Sequence, residues 1–391
     1  MTGAYGGKHS VTTVLRNALT RQGVRDARTG QPLSEAMILG IGGGLGAGYI
    51  LWEFDKYDSA LIVLGFRNRW NYDADFLKNA CERLHVQVDM RETTSVKKAQ
   101  ANLDDALTAS GTALLWTDKA SLPYQGLPPA QKGRIIHLIR VEDDGDNHYI
   151  VDDLSGSPWS LGRDALAVAR EPIPSNKQRS ISLHPAQNFD LASAARAGID
   201  DHISHLSRSS ESFSLPVYQK WAKLMTHPKN KKSWRAVFAR RAGLYLTLRT
   251  VYEGITLDDT EGAGLREIYA DFLIEATALL DIDLCGAAER YRACAAEWRA
   301  LAEMALSDDL PVFAETKALM RARYAAFAGQ DQASLEGAMK DLEALEGPNN
   351  LAGWPLDGSA TDALFERMGE QLHTIFEVEQ SALDALKQAM Q

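Results

Sequence analysis

The stretch RIIHLIRVEDDGDNHYIVDDL, residues 134–154, sets two runs rich in β-branched and aromatic residues on either side of Asp144-Gly145. Such runs around an Asp-Gly pair read as an antiparallel hairpin closed by a two-residue type I′ turn. With that turn Asp143 faces Asp146, Val141 faces His148, and His137 falls opposite Asp152, while Asp153 points to the other face. Directly opposed residues have Cβ atoms about 4.5–5.5 Å apart, a spacing suited to a carboxylate accepting from an imidazole N–H. An imidazole held in this way has a fixed tautomer and a second nitrogen left to act as a base. A His–Asp pair in a sheet also serves purely structural ends, so the hairpin alone leaves both readings open.

Working outward, strand-like runs lie at YILWEF, ALIVLGF, VQVDM and TALLWT. Between them, apolar residues recur at helical spacing. Val11, Val14, Leu15, Ala18 and Leu19 predict a first helix ending near Gly23, and SEAMIL predicts a short second one capped by Ser34. Phe76, Leu77, Ala80, Cys81 and Leu84 mark another, as do Val96, Ala99, Leu103, Ala106 and Leu107. Residues 1–172 are therefore expected to form an α+β domain. REPIPSNKQRS, residues 170–180, carries two prolines among polar residues and reads as a linker. From 181 to 391 the pattern is helical, with Leu265, Ile268, Tyr269, Phe272, Ala276 and Leu279 forming a core stripe. This predicts a second, all-α domain of about seven helices. A length of 391 residues fits two such domains.

Apolar content of 45% and charged content of 24% are those of a soluble globular protein. No segment has the ~18 uninterrupted apolar residues of a membrane helix, and the first residues lack a signal-peptide core, so a cytoplasmic protein with no membrane partner is expected. Cys81, Cys285 and Cys294 fit neither a disulfide framework nor a zinc site and are expected to be small core residues. His202 and His205 share a helix face beside Asp201, but no second cluster completes a metal shell, so they are read as solvated polar residues and no metal is expected. The net charge of −10 argues against nucleic acid. Residues 212–252 nonetheless contain no Asp or Glu and include Lys229, Lys231, Lys232, Arg235, Arg240 and Arg241, either a solvated face or a dock for an acidic partner.

GIGGGLGAGY, residues 40–49, formally satisfies GxGxxA through Gly42, Gly44 and Ala47. A dinucleotide site needs a strand before the glycines and a helix after them, and here the order is reversed. Gly42, Gly43 and Gly44 are read instead as permitting close approach of other backbone or of a substrate. Ser10 opens the first predicted helix, where unpaired N–H groups and the helix dipole favour negative charge. Serine is also a preferred N-cap, so cap and nucleophile are both admissible there.

Taken together, GGKHSVTTVLRNAL (6–19), LSEAMILGIGGGLGAGY (33–49) and the IIHLIRV/HYIVDD hairpin resemble the N-terminal domain of the butirosin-biosynthesis acyltransferase family. The later GLREIYADFLIEATALL and AAERYRACAAEWRALAEMAL resemble the helical domain that commonly follows it. The resemblance implies a papain-like cysteine-peptidase fold for the first domain, with an acyl-accepting cysteine after a histidine, then a His and an Asp on later strands. Carried over by position, His9-Ser10 matches the His-Cys pair, His137 the base and Asp152 its orienting carboxylate. Serine thus stands where the family has cysteine, and it must lose its proton to a base as it attacks. Glu35 and the glycines are expected to line or support the pocket.

The function expected is acyl or aminoacyl transfer in natural-product metabolism, from a carrier-protein thioester to an amine or hydroxyl. No resident cofactor is implied, phosphopantetheine arriving on an acidic carrier; an anionic small molecule is the other partner class, and a homo-oligomer is left open. Two alternatives stand beside it. One is closure of a small aziridine-type nitrogen ring on an amino-acid intermediate, which needs a base but no acyl-enzyme. The other is a non-catalytic carrier-binding subunit.

Overall fold

In a computed structural model the described residues are 5–54, 59–186, 188–257, 263–349 and 353–391. In chain order the elements are α1 (Ser10–Arg21), α2 (Glu35–Ile41), β1 (Leu45–Phe54), β2 (Ser59–Arg67), α3 (Asp73–Arg83), β3 (Val86–Arg91), α4 (Val96–Ser110), β4 (Ala113–Asp118), β5 (Ile136–Asp143), β6 (His148–Asp152), β7 (Trp159–Gly162), α5 (Arg163–Arg170) and β8 (Ser180–Pro185). There follow α6 (Leu191–Leu206), α7 (Pro216–Thr226), α8 (Trp234–Val237), α9 (Leu244–Thr256), α10 (Arg266–Leu280), α11 (Cys285–Ala305), α12 (Pro311–Ala328), α13 (Gln332–Asn349) and α14 (Gly358–Ala389). The N-terminal region is thus mixed α+β and the C-terminal region mostly helical. No helix among the described residues is long and apolar enough to cross a membrane.

Two compact units arise, and they do not divide at the expected linker. The first comprises Met1–Ile38, Leu77–Ala194 and Ala322–Met339; the second comprises Leu39–Phe76, Ala195–Arg321 and Lys340–Gln391. Each passage of the chain from one to the other falls inside a helix: α2, α3, α6, α12 and α13. Residues 170–180, read as a linker, carry the end of α5 and lead into β8, which lies inside the first unit's sheet. Prolines 172 and 174 punctuate a turn there rather than a boundary.

The first unit is built on a six-stranded antiparallel sheet in the order β3-β8-β4-β5-β6-β7. On one face, Ala113 and Leu115 of β4, Ile139 and Val141 of β5, and Tyr149 and Val151 of β6 form a core with Leu103 and Leu107 of α4 and Leu166 of α5. Strand alternation turns Leu138, Arg140, Glu142 and Asp152 to the opposite face. There α1 packs, with Asn17 Nδ2 donating to Asp152 Oδ2 at 2.7 Å and Arg21 paired to Glu142 at 3.3 Å.

The second unit departs from an all-α expectation because it contains the antiparallel hairpin β1–β2, sequence-read as part of the first domain. Its helices bury Arg266, whose Nε donates to Glu379 Oε1 at 2.6 Å and whose Nη2 donates to the Tyr218 hydroxyl at 3.1 Å. The guanidinium lies 5.2 Å from the ring centres of both Phe66 and Trp298, and Trp298 Nε1 also donates to Glu379 Oε1 at 2.8 Å. Cys81 and Cys294 are buried as expected of core residues; Cys285, at the start of α11, is exposed.

Candidate active site

The hairpin register sets which carboxylate meets His137. Asp152 stands opposite Arg140, and Asp143 opposite Tyr149, three residues away from the register expected of a two-residue turn. A type I′ turn would need left-handed backbone at Asp144 and Gly145; the connection instead has it at Gly145 (φ +87°) and Asn147 (φ +62°), which gives a longer loop. Asn is among the non-glycine residues that enter that region most readily, which admits the wider loop. A slip by an odd number of residues exchanges the faces of a strand. The expected His137–Asp152 pair is therefore corrected to His137–Asp153.

His137 Nε2 donates to Asp153 Oδ1 at 2.7 Å, both side chains being buried. The other carboxylate oxygen accepts from the Tyr124 hydroxyl at 2.9 Å and from Gln125 Nε2 at 2.8 Å. Burial alone would raise the Asp153 pKa, but the field and hydrogen bond of His137, nearby Lys119 and the Tyr124 hydroxyl hold it below the ordinary carboxylate value. Burial and the Asp153 charge push the Tyr124 phenol well up, so it remains a donor at neutral pH. Asp153 is thus an ionised anchor that fixes the imidazole with its proton on Nε2. Nδ1 has no hydrogen-bond partner among the described residues.

Asp152 has a different task. It accepts from Gly6 N at 2.9 Å, Asn17 Nδ2 at 2.7 Å and Arg140 Nε at 3.0 Å, tying the loop before α1 to the sheet. Gly7 N donates to Leu154 O at 3.2 Å, so this loop runs beside the residue that follows Asp153. Ser10 begins α1 and is buried.

The N-cap of α1 is His9, whose Nδ1 accepts from Thr12 N, and Ser10 is the first helical residue. Glu35 stands behind this turn. Its carboxylate accepts from His9 N at 2.7 Å, from Lys8 N at 3.0 Å and from the Thr12 and Thr13 hydroxyls at 3.0 and 2.8 Å. A negative charge at a helix N-terminus is stabilising, and here it fixes the backbone that presents Ser10. Glu35→Gln keeps the shape but leaves one acceptor oxygen for donors that a carboxylate served with two. We expect it to cost about 2–3 kcal/mol in urea unfolding, through lost charge-assisted hydrogen bonds.

Gly42, Gly43 and Gly44 belong to the second unit, in the turn between α2 and β1. Gly44, at φ +67°, has no room for a Cβ: the Tyr269 ring would lie 2.5 Å from it and His202 Nδ1 3.0 Å. Nδ1 of that histidine accepts from Leu45 N at 3.1 Å, so Nε2 carries the proton and donates to the Tyr291 hydroxyl at 2.6 Å. The glycines thus pack against side chains of their own unit. His202 and His205, read as solvated, are both buried, and burial lowers the His202 pKa to about 3. Among the described residues no group of three His, Cys, Asp or Glu is placed to hold a metal.

Of the basic stretch, Lys229, Lys231 and Lys232 are exposed between α7 and α8. Arg235 instead pairs with Glu366 at 2.7 Å and Asp362 at 3.3 Å, Arg241 donates to Phe238 O, and Arg240 is exposed. Sequence reasoning missed Asp153, Tyr124 and Gln125. Asn147, a residue type prone to left-handed backbone, was a signal for the first; nothing local marked the other two.

Residues 9–153 match the family model described as Butirosin biosynthesis protein H, N-terminal. The chain carries a butirosin biosynthesis protein H N-terminal domain. Residues 164–321 match a second model, described as a Domain of unknown function (DUF4872). No curated protein matches the chain. The family domain takes in Ser10, Glu35, His137 and Asp153, and ends on the last of them.

Proposed function

We propose that the chain is an acyltransferase of natural-product biosynthesis, using a serine nucleophile on a papain-like scaffold. Support for that scaffold comes from a nucleophile candidate at a helix start, packed on an antiparallel sheet that carries a His–Asp pair. Ser10 Oγ attacks the carbonyl of a thioester as its proton passes to His137 Nδ1; the thiolate leaves and takes that proton, giving an acyl ester on Ser10. An amine or hydroxyl acceptor then attacks the ester, and Ser10 recovers its proton through the same imidazole. N–H groups of the first turn of α1 stabilise the oxyanion. Lys229, Lys231 and Lys232 serve as the dock for an acidic carrier bearing the donor on phosphopantetheine.

The observation that carries this reading is the His137 Nε2–Asp153 bond, which leaves Nδ1 as the basic nitrogen. Intact-mass measurement after incubation with an acyl phosphopantetheine thioester tests it. Wild type should gain one acyl mass, and Ser10→Ala none; an equal adduct or full turnover in Ser10→Ala removes Ser10 from the chemistry. The serine at the family's cysteine position also favours a second reading, ring closure on an amino-acid intermediate with His137 as base. In that case Ser10→Ala lowers activity only modestly and no acyl adduct forms in either protein.

A further inference from the structure

Residues 322–339 lie beyond both family matches, yet they belong to the compact unit that holds His137 and Asp153. They contain the end of α12, the start of α13 and the turn between them. This turn grips both chain segments that flank Asp153. On one side Gln330 Nε2 donates to Ser157 O at 2.9 Å and Pro158 O at 3.0 Å, and Ser155 Oγ donates to Ala328 O at 3.3 Å. On the other, Leu335 lies so close to Gly126, next to Gln125, that a Cβ there would be 1.9 Å from its Cδ2.

Between the two, Phe327 closes an aromatic stack. Tyr124 lies on Trp159 with ring centres 4.8 Å apart and planes at 11°, and Phe327 sits 5.5 Å from Trp159 and 6.4 Å from Tyr124. The Tyr124 hydroxyl is one of the two donors that orient the Asp153 carboxylate. A phenol whose ring packs against two others has little freedom to swing its oxygen away, and the carboxylate it orients fixes the imidazole in turn.

We infer that the α12–α13 turn is a positioning clamp for the candidate active site, with Phe327 and Gln330 acting through Tyr124 and the 155–159 loop on the Asp153–His137 pair. Its catalytic meaning rests on the function proposed above; the hydrogen bond it controls does not. Phe327→Ala is the test, with Phe327→Leu as the conservative variant and Leu107→Ala as a core cavity elsewhere in the same unit. Proton NMR of the full-length protein reads the low-field His137 Nε2–H resonance directly, and turnover of an acyl thioester is measured alongside.

In Phe327→Ala the resonance should be lost, with kcat about 100-fold lower and KM within twofold, the cost of a small misplacement at a reacting group. Phe327→Leu should restore the resonance, and Leu107→Ala should retain it. An unchanged resonance and pH profile in Phe327→Ala overturns the clamp, as does loss of the resonance in Leu107→Ala as well. Should Ser10→Ala remain active, the acyl-transfer reading fails while the resonance still decides the clamp.

Discussion

Asp153→Asn is expected to lower turnover by roughly 10³–10⁴-fold while the chain stays folded, the scale seen when a triad carboxylate is made an amide. The reason lies in the three donors around that carboxylate. Tyr124 and Gln125 both donate to one oxygen, and His137 Nε2 donates to the other. An asparagine has a single acceptor oxygen, and two fixed donors claim it. Its NH2 group then faces His137, Nε2 must accept, and the imidazole proton moves to Nδ1. In the mechanism proposed above, a protonated Nδ1 could take no proton from Ser10.

Asp152→Asn, one residue earlier, should behave differently. It weakens the ties to Gly6, Asn17 and Arg140, and Arg140 retains Glu142 as a partner. The loss is one of stability, about 2–3 kcal/mol for a buried pair that is only partly broken, with kcat within tenfold. Steady-state kinetics and urea unfolding on both variants separate the roles. An inactive Asp152→Asn beside an active Asp153→Asn would return the orienting role to Asp152.

The largest effect on stability is expected at Glu379, where Glu379→Leu leaves the Arg266 guanidinium buried without its counter-charge. Removing one member of a buried ion pair typically costs 3–5 kcal/mol, because the remaining charge cannot recover its hydration. Burial opposes the charge on Arg266, and Glu379 more than offsets that, holding the guanidinium pKa above its ordinary value. Trp298 also loses its acceptor, since its Nε1 donates to the same oxygen. The double variant Arg266→Met, Glu379→Leu should regain most of the loss, because no buried charge remains to be satisfied. Urea midpoints for the two single variants and the double variant measure the coupling. Additive single losses would show that the pair is not the source of the effect.

Strand and helix positions were legible where they depend on local pattern. YILWEF, ALIVLGF and VQVDM fall in strands, as do most of TALLWT and of the hairpin arms, and α1, α3 and α4 carry the apolar spacing that marked them. What the sequence concealed is non-local. β7 and β8 are short, and β8 owes its place to pairing with β3 and β4. β1 and β2 read as strands, but nothing in a strand's own residues says which core will cover it. At the site, Ser10 and His137 stand out by residue type and position. Their partners do not, because hairpin register depends on loop conformation, and Asn147 altered it.

The place of β8 has a consequence for synthesis on the ribosome. Val86 of β3 waits for Pro185 before its edge is covered, so a nascent chain released as far as β6 exposes unpaired strand edges. Asp153 emerges long before Phe327 and Gln330 do. At about 5–20 residues per second, residues 154–339 take on the order of 10–40 s to make. Through that interval the His–Asp pair exists without the turn that steadies it, and the protein acquires its candidate active site only as its last helices appear.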